Sequence, residues 1–273
     1  MGLGKIIVLA IPIILLIIVP GCSMEENNED NAQLEEEKPG EIEEIEEIAL
    51  EIMQQVNLIP VIEMPGETVT FEETILGDLL EKEMVNDEEK ENLELPENTE
   101  EIWDSIKVAL TELHQQWDEL KPQLTGENIS PDIINSFEET MDSLIGYSTQ
   151  EDHFSTLAAA NQLTKYLSKI MPPFAENSAP AAYELKYHTR HILLAAAADN
   201  FQETKVSLEY VEELKQGISK DLEEQQAAEM AEKLNNSLDN LQRAVNKQNP
   251  DMVKIKAAIL MENIMDVIEE LEQ

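Results

Sequence analysis

The segment around residues 184–191 carries a group of side chains suited to binding a metal ion. Glu184, His188 and His191 are spaced four and three residues apart, so on an α-helix they fall, together with Tyr187, within an arc of about 100°. Carboxylate and neutral imidazole groups are good ligands for divalent first-row metal ions. The spacing therefore permits a metal site, provided that other helices add the remaining ligands.

A packing role is the alternative for the same segment. Tyr187 and His191 continue an apolar stripe that runs on to Phe201, which would leave His188 near solvent. The spacing also differs from the Glu-x-x-His pairs of carboxylate-bridged di-iron bundles and from the His-Glu-x-x-His of zinc proteases. We therefore favour packing and keep metal binding as the alternative.

The sequence has no motif of another catalytic or redox site. It contains no Gly-x-Ser-x-Gly elbow, no glycine-rich phosphate loop and no Cys-x-x-Cys-His pair for haem attachment. A single cysteine also excludes an internal disulfide and a thiolate zinc cage. We expect a protein without enzymatic activity and without a cofactor, apart from the metal ion of the alternative.

The charge balance of the chain excludes whole classes of partner. Its 273 residues include 58 Asp and Glu against 18 Lys and Arg, a formal net charge of −40. Binding to nucleic acid needs a basic face that displaces counterions from phosphates, and docking on anionic lipid needs a polybasic patch. Neither partner is compatible with this composition.

The first residues have the organisation of an export signal. Lys5 precedes an apolar run from Ile6 to Val19, and the small residue Gly21 then precedes Cys22. A helix that spans a bilayer needs roughly 20 apolar residues, so this run is short for a membrane span, and Pro12 interrupts it.

The stretch Val19-Pro20-Gly21-Cys22 resembles the lipobox of a bacterial lipoprotein precursor. This resemblance covers residues 1–22 and implies cleavage between Gly21 and Cys22, which removes residues 1–21. It also implies that Cys22 receives diacylglycerol and attaches the protein to the extracytoplasmic face of the cell membrane.

Residues 22–98 are predicted to form an acidic, mostly disordered tether. From Ser23 to Glu101 there are 28 acidic residues and three lysines, and like charges at this density repel one another. Apolar residues recur at helical spacing over 42–52 and again over 75–84, which indicates short, transient helices. Residues 58–62 and 67–71 are predicted to be extended, on either side of a turn at Pro65-Gly66.

Residues 99–273 are predicted to form an all-α domain, an antiparallel bundle of about six helices. Apolar residues from Trp103 to Leu124 alternate steps of three and four, as in a helix packed in a bundle. Gly146, Gly217 and several proline-containing caps divide the remainder, with one long helix expected from about residue 178 to 215. The connections are short, which favours antiparallel neighbours.

Together these patterns predict a lipid-anchored protein of the cell envelope with a non-catalytic helical bundle. Its role would be structural or would consist in binding an envelope protein. The alternative is an extracytoplasmic metal-binding bundle that uses Glu184, His188 and His191.

Overall fold

The computed structural model describes residues 38–63, 70–83 and 96–273, and these residues form an all-helical unit. Nine α-helices and no strand occur within these ranges. Two short 3₁₀ turns lie at Phe71–Glu73 and Pro172–Phe174. The helices are α1 (Gly40–Glu63), α2 (Gly77–Glu83), α3 (Thr99–Gln123), α4 (Pro131–Thr149), α5 (His153–Ile170), α6 (Ala179–Ala197), α7 (Phe201–Glu224), α8 (Ala228–Asn246) and α9 (Pro250–Leu271).

The predicted helical class is confirmed, but the number of about six helices is wrong. Residues 99–273 contain seven helices, because the long helix expected to start near residue 178 is two helices, α6 and α7. The chain breaks at Asp199, whose φ of 57° is left-handed. The side chain of Asn200 then accepts a hydrogen bond from the backbone N–H of Glu203 at 3.3 Å and begins α7.

Glycine has a positive φ in the link after α3, at Gly126, but four other helix ends have a left-handed residue that is not glycine. Left-handed φ angles occur at Glu151, Asp199, Gln226 and Gln248, each in a short link between consecutive helices. In the first three links, the residue that follows the left-handed one donates its backbone N–H to the carbonyl five positions before it, at 2.7–3.0 Å. This hydrogen bond closes the helix end as in a Schellman motif. The glycines that suggested helix ends, Gly146 and Gly217, lie inside α4 and α7.

The expectation of a mostly disordered tether over residues 22–98 is wrong for α1 and α2. Ile45, Ile52 and Val56 of α1 and Leu79 of α2 are completely buried in the same core as the later helices. The helix α1 packs chiefly on α3 and α5. Its glutamates lie mainly on the opposite, solvated face, so their repulsion does not prevent burial of the apolar face.

The sequence predicts residues 58–62 to be extended, and this prediction is wrong because the segment is helical. It forms the last turns of α1, which contain Pro60. A proline inside a helix removes one backbone hydrogen bond. Leu58 and Ile59 are buried, and their burial offsets this loss. The predicted turn at Pro65-Gly66, residues 22–37, and most of the predicted strand over residues 67–71 lie outside the described residues.

The helix α6 is the centre of the bundle. It packs against α5, α7 and α9 and has few exposed positions. Residues 188 and 191 of α6 contact residues 210 and 203 of α7, respectively, so these two helices run antiparallel. The alanines of α6 allow its neighbours to approach closely.

Candidate functional site

The central helix α6 buries an unusual number of polar side chains. Five consecutive or nearly consecutive polar residues of α6 are each less than 9% exposed, and they are Glu184, Lys186, His188, Thr189 and Arg190. Buried ionised groups are stable only when paired and hydrogen-bonded. The hydrogen-bond and ion-pair partners of these groups therefore determine the chemistry of the site.

Arg190 is the most deeply buried charge of the site and is paired with Glu83. Its guanidinium donates from Nε to Glu83 Oε1 at 2.9 Å and from Nη2 to Glu83 Oε2 at 2.6 Å. The arginine side chain is 0% exposed and the glutamate side chain 1%. This two-point contact is the strongest geometry that a guanidinium and a carboxylate can adopt.

Two side chains of α5 bind the remaining nitrogen of the guanidinium, Nη1. Arg190 Nη1 donates to Asn161 Oδ1 at 2.9 Å and to Thr164 Oγ1 at 3.0 Å. The Thr164 hydroxyl donates in turn to the Asn161 carbonyl at 2.8 Å, and Asn161 Nδ2 donates to the Tyr187 carbonyl at 3.2 Å. The orientation of Arg190 is thus set by α5 and by α6 itself.

Lys186 supplies a second cation to the same pocket. Its Nζ lies 2.7 Å from Glu46 Oε1 of α1 and 3.4 Å from Glu83 Oε2. Burial by itself would raise the pKa of Glu83, but Arg190 and Lys186 together hold that pKa below the usual glutamate range. We call this group the Arg190 pocket: Glu46, Glu83, Asn161, Thr164, Lys186 and Arg190.

The residues of the predicted metal site lie on another side of α6. His188 is 3% exposed, and neither of its ring nitrogens has a hydrogen-bond partner among the described residues. Its ring stacks on that of Tyr210 with centroids 5.3 Å apart and meets the Tyr187 ring edge-on at 4.8 Å. The packing explanation expected His188 near solvent, and the structure places it in the interior.

Glu184 and His191 are each engaged with another partner. Glu184 Oε2 lies 2.6 Å from Lys169 Nζ, whereas its Oε1 lies 3.7 Å from His188 Nε2. His191 Nε2 lies 3.1 Å from Glu203 Oε1 on α7, and the histidine side chain is 25% exposed. The structure therefore places Glu184 beside His188, whereas the Nε2 atom of His191 lies beside Glu203 of α7.

The described part of the chain contains no group of three or more His, Cys, Asp or Glu side chains arranged to hold a metal ion. Glu184, His188 and His191 all belong to that part. Their arrangement forms two separate acid–histidine pairs instead of one converging set of ligands.

The electrostatics of these pairs follow from burial and from the neighbouring charges. Burial would raise the pKa of Glu184, but His188 and Lys169 hold it below its usual range. Burial lowers the pKa of His191, and the attraction of Glu203 offsets this only in part. Burial also raises the pKa of Tyr187, whose hydroxyl donates to Gln162 Oε1 at 3.0 Å.

Sequence reasoning missed the Arg190 pocket. A weak local signal exists, since Lys186 and Arg190 are basic residues one turn apart in a helix that is otherwise largely apolar. Nothing in the local sequence identifies Glu83 as the partner, because it is 107 positions away in a segment expected to form only a short, transient helix.

Gly21 and Cys22, the residues of the predicted cleavage and lipidation site, lie outside the described residues. Within the described ranges, no helix combines the length and the apolarity that crossing a bilayer requires.

No family model, no curated protein and no solved structure matches this chain. Its function is therefore argued from the side chains themselves. Two features carry that argument, the N-terminal cysteine motif and the internally paired charges of α6.

Proposed function

We propose that this protein is a lipid-anchored component of the cell envelope, with its helical bundle on the extracytoplasmic side of the membrane and a structural or partner-binding role. The observation that carries the proposal is the position of Cys22. It is the single cysteine of the chain, and it directly follows Gly21 and an apolar run. A thiol in this position is the acceptor of diacylglycerol in lipoprotein precursors, and the two acyl chains give a firm anchor.

The pairing of the buried charges supports a non-catalytic role. Arg190 is paired with Glu83 in the interior, and the largely buried carboxylate of Glu184 is paired with Lys169. Groups that neutralise each other inside a bundle determine how its helices pack. The acidic spacer of this proposal is the segment over residues 23–37, since Lys38 already contacts Glu272 and Pro39 is buried.

Exposed apolar side chains of α7 support the partner-binding role. Val206 and Tyr210 are one helical turn apart, and they are 44% and 50% exposed. A contiguous exposed apolar patch marks a contact surface, and these two side chains would form the centre of such a patch in this proposal. The envelope partner of this proposal would contact this face of α7.

The anchor is tested by replacing Cys22 with alanine in the full-length precursor. We expect the wild-type protein to carry a lipid on residue 22, to lack residues 1–21 and to partition into the detergent phase. The C22A precursor should remain uncleaved and unlipidated, as mass spectrometry of both proteins would show.

An Asn27→Ala variant is the matched control for this experiment, because it changes the same segment but keeps the thiol. It should behave as the wild type does. The proposal is wrong if the wild-type protein carries no lipid, or if C22A is processed to the same mature mass.

The partner-binding role is tested by a photo-crosslinking residue placed at position 210 in intact cells. The same residue at position 209, an exposed glutamate on an adjacent part of α7, is the control. We expect a discrete crosslinked protein from position 210 that is weak or missing from position 209. Identical products from both positions would contradict a role of the Val206–Tyr210 face.

A further inference from the structure

The Arg190 pocket has the properties of a receptor for a carboxylate, and Glu83 has the position of its ligand. Three helices, α1, α5 and α6, supply Glu46, Asn161, Thr164, Lys186 and Arg190. The helix α2 contributes Glu83, its last residue, to the polar contacts of the Arg190 pocket.

The receptor part of the pocket is oriented without help from α2. Asn161 and Thr164 fix Nη1 of the guanidinium, and Asn161 is itself held by the Tyr187 carbonyl. The edge formed by Nε and Nη2 is left to face the carboxylate. An arginine whose free edge is prepositioned in this way matches the two oxygens of any carboxylate.

The charge balance of the pocket requires an anion at the position of Glu83. Lys186 and Arg190 contribute two positive charges, and Glu46 compensates the charge of Lys186 at 2.7 Å. Without Glu83 the guanidinium of Arg190 would be a buried cation with no counterion in the pocket. A buried cation without a counterion is strongly unfavourable, so an anion that enters the pocket stabilises the folded protein.

The helix α2, which carries Glu83, has little helical stability of its own. It has seven residues, fewer than an isolated helix needs to be stable in water. It is held by the burial of Leu76, Leu79 and Leu80 and by the Glu83 contact. The carboxylate and the apolar residues are thus separate contributions to its docking.

We propose that the Arg190 pocket is a carboxylate-binding site that Glu83 occupies from within the same chain, and that it takes a small monocarboxylate such as formate or acetate in place of this side chain. The bound ion places its two oxygens at Nε and Nη2 of Arg190. The bound ion then supplies the negative charge that Glu83 supplies in the native protein.

The test is chemical rescue of the full-length Glu83→Ala variant. The melting temperature of this variant is measured in increasing sodium formate or acetate, and in sodium chloride at equal ionic strength. We expect a saturable rise of about 3 °C or more in formate or acetate beyond the effect of chloride, because binding to the native state raises stability by mass action. Neutral acetamide should give no such rise.

Two variants show whether the effect belongs to the pocket. In Glu83→Ala/Arg190→Leu the receptor is removed together with its ligand, so formate and chloride should act equally. Glu184→Ala removes another buried carboxylate, but its partner Lys169 is 41% exposed and can be hydrated, so no selective rescue is expected there.

If Glu83→Ala does not fold in chloride, the measurement becomes its refolding from urea, followed by circular dichroism. Recovery of the helical signal in formate and not in chloride would support the proposal. Equal behaviour of the variant in formate, acetate and chloride, whether folded or unfolded, would overturn it, as would an equal response in the variant that lacks Arg190.

Discussion

Glu83 and Arg190 form a two-point ion pair in the interior of the bundle, with contacts of 2.9 and 2.6 Å. They are 107 positions apart in the chain. The pair joins the short helix α2 to the central helix α6, and therefore links the acidic N-terminal part of the described chain to the bundle.

Glu83→Gln is expected to destabilise the protein by about 3–5 kcal/mol, because it leaves the buried guanidinium of Arg190 without a counter-charge. The measurement is urea unfolding followed by circular dichroism. Glu262→Gln is the control, since Glu262 faces Lys82 at 3.8 Å with a side chain that is 60% exposed. It should change the free energy of unfolding by less than about 1 kcal/mol. Equal effects of the two substitutions would contradict the assigned role of Glu83.

Acidification should reduce the difference in stability between the wild type and Glu83→Gln. The folded-state pKa of Glu83 lies below its usual value because Arg190 and Lys186 outweigh the effect of burial. The stabilisation is therefore present above about pH 4.3 and is lost as the pH falls through the lower folded-state pKa. Unfolding free energies measured from pH 6 to pH 3 test this. A difference that stays constant over the range would be inconsistent with it.

His153 and His191 should titrate below the usual histidine pKa of about 6.5. Burial lowers the pKa of both imidazoles, and the nearby Glu63 and Glu203, respectively, compensate only in part. The neutral folded forms contribute stability that is present above about pH 6.5 and is lost as the pH falls toward the folded-state pKa values. Imidazole proton shifts in an NMR titration give the midpoints directly. Midpoints above 7 would show that the acidic neighbours dominate.

Ile52→Ala should destabilise the protein by about 2–5 kcal/mol, as expected for a large-to-small change at a completely buried position. This tests whether α1 belongs to the core. Glu47→Ala on the exposed face of the same helix is the control and should change stability by about 0.5 kcal/mol or less. A wild-type unfolding midpoint for Ile52→Ala would mean that α1 is not part of the cooperative core.

Asn200→Ala should cost about 1 kcal/mol, because it removes the side chain that accepts the Glu203 N–H at the start of α7. Thermal unfolding compared with the exposed neighbour variant Gln202→Ala measures the effect. If the two variants melted at the same temperature, the break between α6 and α7 would not depend on this cap.

Several features of the fold are predictable from local sequence. The Ser130-Pro131 and Asn249-Pro250 starts are helix starts in the structure, and both side chains accept a backbone N–H. The helical class follows from apolar residues at intervals of three and four, because this pattern fits one face of a helix. The N-terminal cysteine motif is a property of the sequence alone.

The tertiary structure decided which patterns form stable helices. The helix α1 is rich in glutamate, and its local sequence predicts only a short, transient helix within a mostly disordered segment. It folds because α3 and α5 cover its isoleucines, and burial of apolar surface is a non-local gain that composition does not reveal. The break at Asp199 likewise depends on how α6 and α7 pack back on each other.

The sequence by itself determined the helical class, the acidity and the candidate anchor, since these depend on residue types and their spacing. Only the tertiary structure decided the pairing of Glu83 with Arg190, of Glu184 with Lys169 and of His191 with Glu203. The physical reason is that an ion pair depends on distances of a few ångströms between side chains. Such distances between remote residues are set by the packing of whole helices.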